Sequence, residues 1–162
     1  MKKVCSTLFL VLFASASFAQ SVLRWQQIIG DITSPGVNSP VAGIPSGGAP
    51  WTTAGGSASV NLSTGAVTFQ VQGLVLNGTN ASGTPGPVQN VVGTLVCGAG
   101  RSTQAVFNTS MVPLNTQGDA VFSGSLGMLP ATCATPLFLI RTGTAATASW
   151  IATGAVLTTS AS

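Results

Sequence analysis

Val60-Asn61-Leu62-Ser63-Thr64-Gly65-Ala66-Val67-Thr68-Phe69-Gln70-Val71 alternates apolar and polar residues on both sides of a short Gly-containing break. Side chains on a strand point to opposite faces with a period of two. The stretch therefore predicts two half-buried strands, one carrying Val60 and Leu62 and the other Val67, Phe69 and Val71. A break this short joins them as an antiparallel hairpin.

The same grammar extends in both directions. The run continues to Leu76, with Gly73 marking a bend, and a polar loop from Asn77 reaches Pro87. Strands are predicted at Val91–Cys97, Gln104–Asn108, Asp119–Leu126, Leu137–Ile140 and Ala148–Leu157. Pro113 assigns Met111–Leu114 to an edge or a loop. Leu137-Phe138-Leu139-Ile140 is continuously apolar, as in a strand covered on both faces, and Val22–Ile29 reads as a first strand. No segment carries a sustained 3.6-residue apolar stripe flanked by charges. The expected fold is an all-β, immunoglobulin-like antiparallel sandwich of about seven to eight strands.

Residues 34–56 break the pattern. Pro35, Pro40, Pro45 and Pro50 recur every five residues among glycines, and proline lacks the N–H that a sheet interior needs. This predicts a division into an N-terminal strand and Gly/Pro-rich linker at 20–56 and a sandwich domain at 57–162.

The first 19 residues have the three-part layout of a secretory signal. Met1-Lys2-Lys3 is positive, Leu8–Ala14 is apolar, and Ser17-Phe18-Ala19 offers small residues before a cut between Ala19 and Gln20. A membrane span needs about 20 apolar residues, and Ser15 and Ser17 interrupt too early, so no transmembrane anchor is expected. The implied location is periplasmic or secreted. Cys97 and Cys133 survive processing, and an even pair in an exported chain predicts one disulfide.

Charge and composition narrow the function classes. Loss of the signal removes both lysines, leaving Arg24, Arg101 and Arg141 against Asp31 and Asp119. Three scattered arginines do not form the cluster that phosphate binding requires, so nucleic acid is not an expected partner. The chain contains no His, Glu or Tyr. General acid–base or triad chemistry has no tuned base to draw on, and a metal site has too few ligands. A non-enzymatic protein without cofactor or metal is expected.

Local motifs yield little chemistry. Cys97-Gly98-Ala99-Gly100-Arg101-Ser102-Thr103 lacks the Gly-Lys-Ser/Thr ending of a phosphate loop and reads as a tight turn. Arg141 reads as a stem on apolar surface with its head in water, or as a partner of Asp119 or Asp31. Among Trp25, Trp51 and Trp150, only Trp51 sits in a segment that could present an exposed ring to a sugar or small ligand.

Val60–Leu74 resembles the opening hairpin of chordin-type extracellular domains, although that family's later His-Ile-His-Gly stretch has no counterpart here. Residues 57–157 are also similar to small exported β-sandwich proteins of unknown function. The leading expectation is an extracellular or envelope protein acting through contacts with itself or with a cell-envelope protein. A carbohydrate- or small-ligand-binding module is the alternative.

Overall fold

The computed structural model describes residues 21–34, 36–143 and 148–161. Ala19, Gln20 and the rest of the expected signal lie outside the described residues. The described chain is all-β and antiparallel. Its strands are β1 (Ser21–Gly30), β2 (Trp51–Thr52), β3 (Gly55–Asn61), β4 (Ala66–Gln72), β5 (Val75–Leu76), β6 (Asn90–Cys97), β7 (Ala105–Asn108), β8 (Val112–Pro113), β9 (Ala120–Ser125), β10 (Leu137–Thr142) and β11 (Trp150–Ala161).

The expected hairpin forms as β3 and β4. Asn61 Oδ1 accepts hydrogen bonds from the Ser63 and Thr64 amides, and Gly65 closes the turn at φ 71° with its N–H donating to Asn61 O. An Asx turn followed by glycine in the left-handed region explains why this break joins two strands in register. Val67, Phe69 and Val71 are buried, while Ala66, Thr68, Gln70 and Gln72 are exposed.

Nine strands form one sheet in the order β7-β6-β10-β11-β1-β3-β4-β9, with β8 also on β6; β2 and β5 make a separate pair. The sheet curls over so that its inner face packs against itself in a sandwich-like arrangement. Phe69 on β4 and Phe138 on β10 lie four strand steps apart, a separation of about 19 Å in a flat sheet. Their ring centroids are 5.8 Å apart. Trp25 on β1 joins them, 5.5 Å from Phe138. These rings, with Val60, Val71, Leu95 and Ile151, form the main core.

The division expected at residue 57 does not correspond to a boundary in the fold. β1 lies inside the sheet, paired to β11 on one side and to β3 on the other. The proline-rich segment is a strap over the outer face of β6, β10 and β11. Ile44 packs there with Val96, Leu139 and Trp150 as a second small core. Pro45 O accepts from Trp150 N–H, Ser39 O accepts from Trp150 Nε1, and Ala42 O accepts from Gln104 Nε2. Prolines suit this position because the strap mostly supplies acceptors, which proline retains. The strap also explains the apolar run in β10: Phe138 and Ile140 face the main core, and Leu139 faces the strap.

Cys97 and Cys133 form the expected disulfide, with Cα atoms 4.8 Å apart. The bond links the end of β6 to the segment leading into β10. β6 and β10 are hydrogen-bonded neighbours, so the bridge staples adjacent strands and does not cross between the two packed halves of the sheet.

Candidate functional site

The residues singled out by sequence do not converge on one place. Trp51 is only 4% exposed, corrected from an exposed platform to a core residue. It is held in β2, paired to β5, and its N–H donates to Asp31 O. Trp25 and Trp150 are buried as well, so no indole among the three offers a free face to a sugar.

Arg141 also departs from its expected role. It is 5% exposed and pairs with neither aspartate. Nε and Nη2 both donate to Ala148 O, at 3.0 and 2.7 Å, and Nη1 donates to Asn108 Oδ1 at 3.4 Å. Burial holds its pKa below the ordinary arginine value. With two carboxylates in the chain, both committed elsewhere in the fold, the guanidinium is satisfied by neutral acceptors and fixes the chain on either side of residues 142–147.

The two carboxylates have separate structural positions. Asp119 Oδ1 accepts from Gly73 N–H and Oδ2 from Asn115 Nδ2, tying the β8–β9 turn to the bend after β4. These bonds hold its pKa below the ordinary value. Asp31 is 2% exposed; Oδ1 accepts from Thr33 N–H, while Oδ2 has no partner. Among the described residues no three His, Cys, Asp or Glu side chains come together.

In the Gly98–Thr103 turn three of the amides are already engaged. Gly98 N–H donates to Ala134 O, Arg101 N–H to Gly98 O, and Gly100 N–H to Gln104 Oε1. An anion cradle needs such amides free and convergent. The loop is a turn between β6 and β7.

The surface that remains is a sheet face and its edge. On the outer side, strand register aligns Thr158, Arg24, Ser59, Thr68 and Ser123 in one row across β11, β1, β3, β4 and β9. The next row carries Ser57, Gln70 and Val121. A shallow depression of about 420 Å³ follows these rows. Arg24 is the one charge in either row; the other groups are hydroxyls, an amide and the 72%-exposed side chain of Val121. The face ends at β9, which among the described strands is laddered to β4 and is also approached by β8. Sequence reading placed β9 as a strand but not at the margin, because edge position depends on pairing partners far away in the chain.

No family model, no curated protein and no solved structure matches this chain. Among the described residues no helix is long and apolar enough to cross a membrane. The function must therefore be argued from the surface itself.

Proposed function

We propose that this is an exported, non-enzymatic β-sandwich protein that acts through protein contacts, either between its own copies or with a component of the cell envelope. The observation that carries the reading is the near absence of charge along the outer face and β9 edge, together with exposed Val121. Charged guards on edge strands and net surface charge normally keep sheet proteins apart. The disulfide supports an oxidising compartment, since such bonds persist there and are rare in the cytosol. The residues also support a non-catalytic role: the described arginines and aspartates are separated, Arg141 is held by Ala148 O and Asn108 Oδ1, and Asp31 accepts from Thr33 N–H through Oδ1.

The test is light scattering coupled to size exclusion on the purified mature protein, alongside fractionation of its native cells. Concentration-dependent mass or retention with the envelope is the expected result. A monomer at all concentrations with no envelope retention would overturn the reading, as would turnover that copurifies stoichiometrically with the protein. Sugar or small-ligand binding has lost its basis, because the ring that suggested it, Trp51, is in the core.

A further inference from the structure

We infer that Asn77 is a site of spontaneous covalent modification, at which the backbone nitrogen of Gly78 attacks the side-chain carboxamide and the residue becomes an acid. The inference stands apart from the contact role proposed above.

The reaction needs only water as co-reactant. The Gly78 nitrogen gives up its proton and bonds to Asn77 Cγ, the Cγ–Nδ2 bond breaks, and ammonia leaves. The product is a succinimide ring. Water then opens the ring at either carbonyl, leaving aspartate at position 77 or its isomer, in which the main chain runs through Cβ. No electrons are gained or lost.

The rate depends on room for the attacking nitrogen, on rotation between the two residues, and on competing hydrogen bonds. Glycine has no Cβ to obstruct the approach, and among the asparagines of the chain only Asn77 precedes one. Asn77 and Gly78 are both exposed. A Cβ built on Gly78 would meet only Pro50 Cγ, at 3.8 Å. The pair lies between β5 and the turns in which Thr79 O accepts from Ser82 N–H and Ala81 O accepts from Thr84 N–H. Among the described residues neither the Asn77 carboxamide nor the Gly78 N–H has a hydrogen-bond partner.

The other asparagines are held. Asn38 Oδ1 accepts from Ser46 N–H, Asn61 Oδ1 from Ser63 and Thr64 N–H, and Asn115 Oδ1 from Gln117 and Asp119 N–H. Asn108 Oδ1 accepts from Thr94 Oγ1, and the nitrogen that follows it donates to Gly93 O. The nitrogen after Asn80 donates to Thr79 Oγ1, and Asn90 is fixed in β6 opposite Pro113.

The fold tolerates either product. Leu76 closes the base of the loop, its N–H donating to Thr84 O and its O accepting from Gly83 N–H, and Asn77 N–H donates to Pro50 O. The extra main-chain carbon of the isomer falls inside the loop, beyond these anchors. The change is electrostatic: in residues 20–162 the three arginines, balanced until then by two aspartates, come to face a third carboxylate. A net charge near zero favours association, so the surface of this chain changes with its age.

The test incubates the mature protein in mildly alkaline buffer, which helps the amide lose its proton, beside a peptide spanning Gln72–Ser82. Digestion and mass spectrometry follow each asparagine, and isoaspartyl methyltransferase labels the isomer. Asn77 should convert at least about tenfold faster than any other asparagine, and within about tenfold of the peptide. Both products should form, with the melting temperature unchanged. Asn77→Gln, whose longer side chain closes the ring poorly, should stop the reaction there and leave the other positions as they were. Faster loss at another asparagine, an Asn77 that stays intact while the peptide converts, or aspartate without its isomer would overturn the assignment. A melting temperature that falls with conversion would refute the tolerance argued for the loop.

Discussion

Gly93→Ala tests the central architectural feature, the contact between strands far apart in the sheet. Gly93 lies on β6, opposite Ile140 of β10. A Cβ placed there would lie 2.7 and 2.8 Å from two ring carbons of Phe69 and 2.9 Å from Phe138 Cζ. Carbon atoms pack comfortably at about 3.5–4.0 Å, so both rings must retreat by about an ångström. Phe69 is 2% exposed and Phe138 is 0% exposed, which leaves them no free space.

The sign of the effect is diagnostic. Gly93 has no left-handed φ, so on backbone grounds alanine should stabilise the strand by about 0.5–1 kcal/mol. Overpacking against two buried rings should cost about 2–3 kcal/mol, the upper part of the usual range, giving a net loss of about 1–2.5 kcal/mol and a melting point lower by about 3–10 °C. Urea unfolding followed by tryptophan fluorescence and circular dichroism measures this. Phe69→Leu frees space at the same point, so the double variant should be more stable than the sum of the single effects predicts, by at least about 0.5 kcal/mol. A Gly93→Ala protein as stable as wild type, or strict additivity with Phe69→Leu, would show that the curled halves do not meet there.

Three further outcomes follow from particular contacts. Replacing Cys97 and Cys133 together by Ser should lower the unfolding free energy by about 4 kcal/mol by loop-closure entropy for a separation of 36 residues, and unchanged denaturation midpoints would refute it. Trp51→Ala should cost about 3–5 kcal/mol because it empties a buried site; a soluble variant with wild-type melting would place the indole outside the core. Asp119 has a folded pKa held below the ordinary value of 3.8 by Gly73 N–H and Asn115. Its stabilisation is thus present above that pH and lost as pH falls through the folded value. Asp119→Asn should flatten the acid limb of the melting-temperature profile, and parallel profiles for variant and wild type would contradict this.

The Arg141 and strap observations explain where local reading reaches its limit. Pro40, Pro45 and Pro50 correctly argue against a sheet interior, yet the same segment forms the lid over Leu139 and Val96, and Pro35 lies outside the described residues. Proline chemistry excludes one role without choosing among the others. Arg141 ends an apolar strand, a position from which long side chains usually reach water. The fold instead turns it toward Ala148 O, a partner seven residues later in the chain that a strand pattern does not encode.

What the sequence by itself determined is everything that depends on relations between near neighbours. Alternation in 60–71 specified the β3–β4 hairpin and its inward face. Asn61 and Gly65 specified its turn, and an even cysteine pair specified the disulfide. Tertiary structure alone decided that β1 lies mid-sheet, that Trp51 is buried, and that β9 is an edge with Phe122 incompletely covered. The physical reason is that a period of two tells which side of a strand is apolar, whereas the curl of the sheet and its long-range pairings decide which apolar side finds a cover.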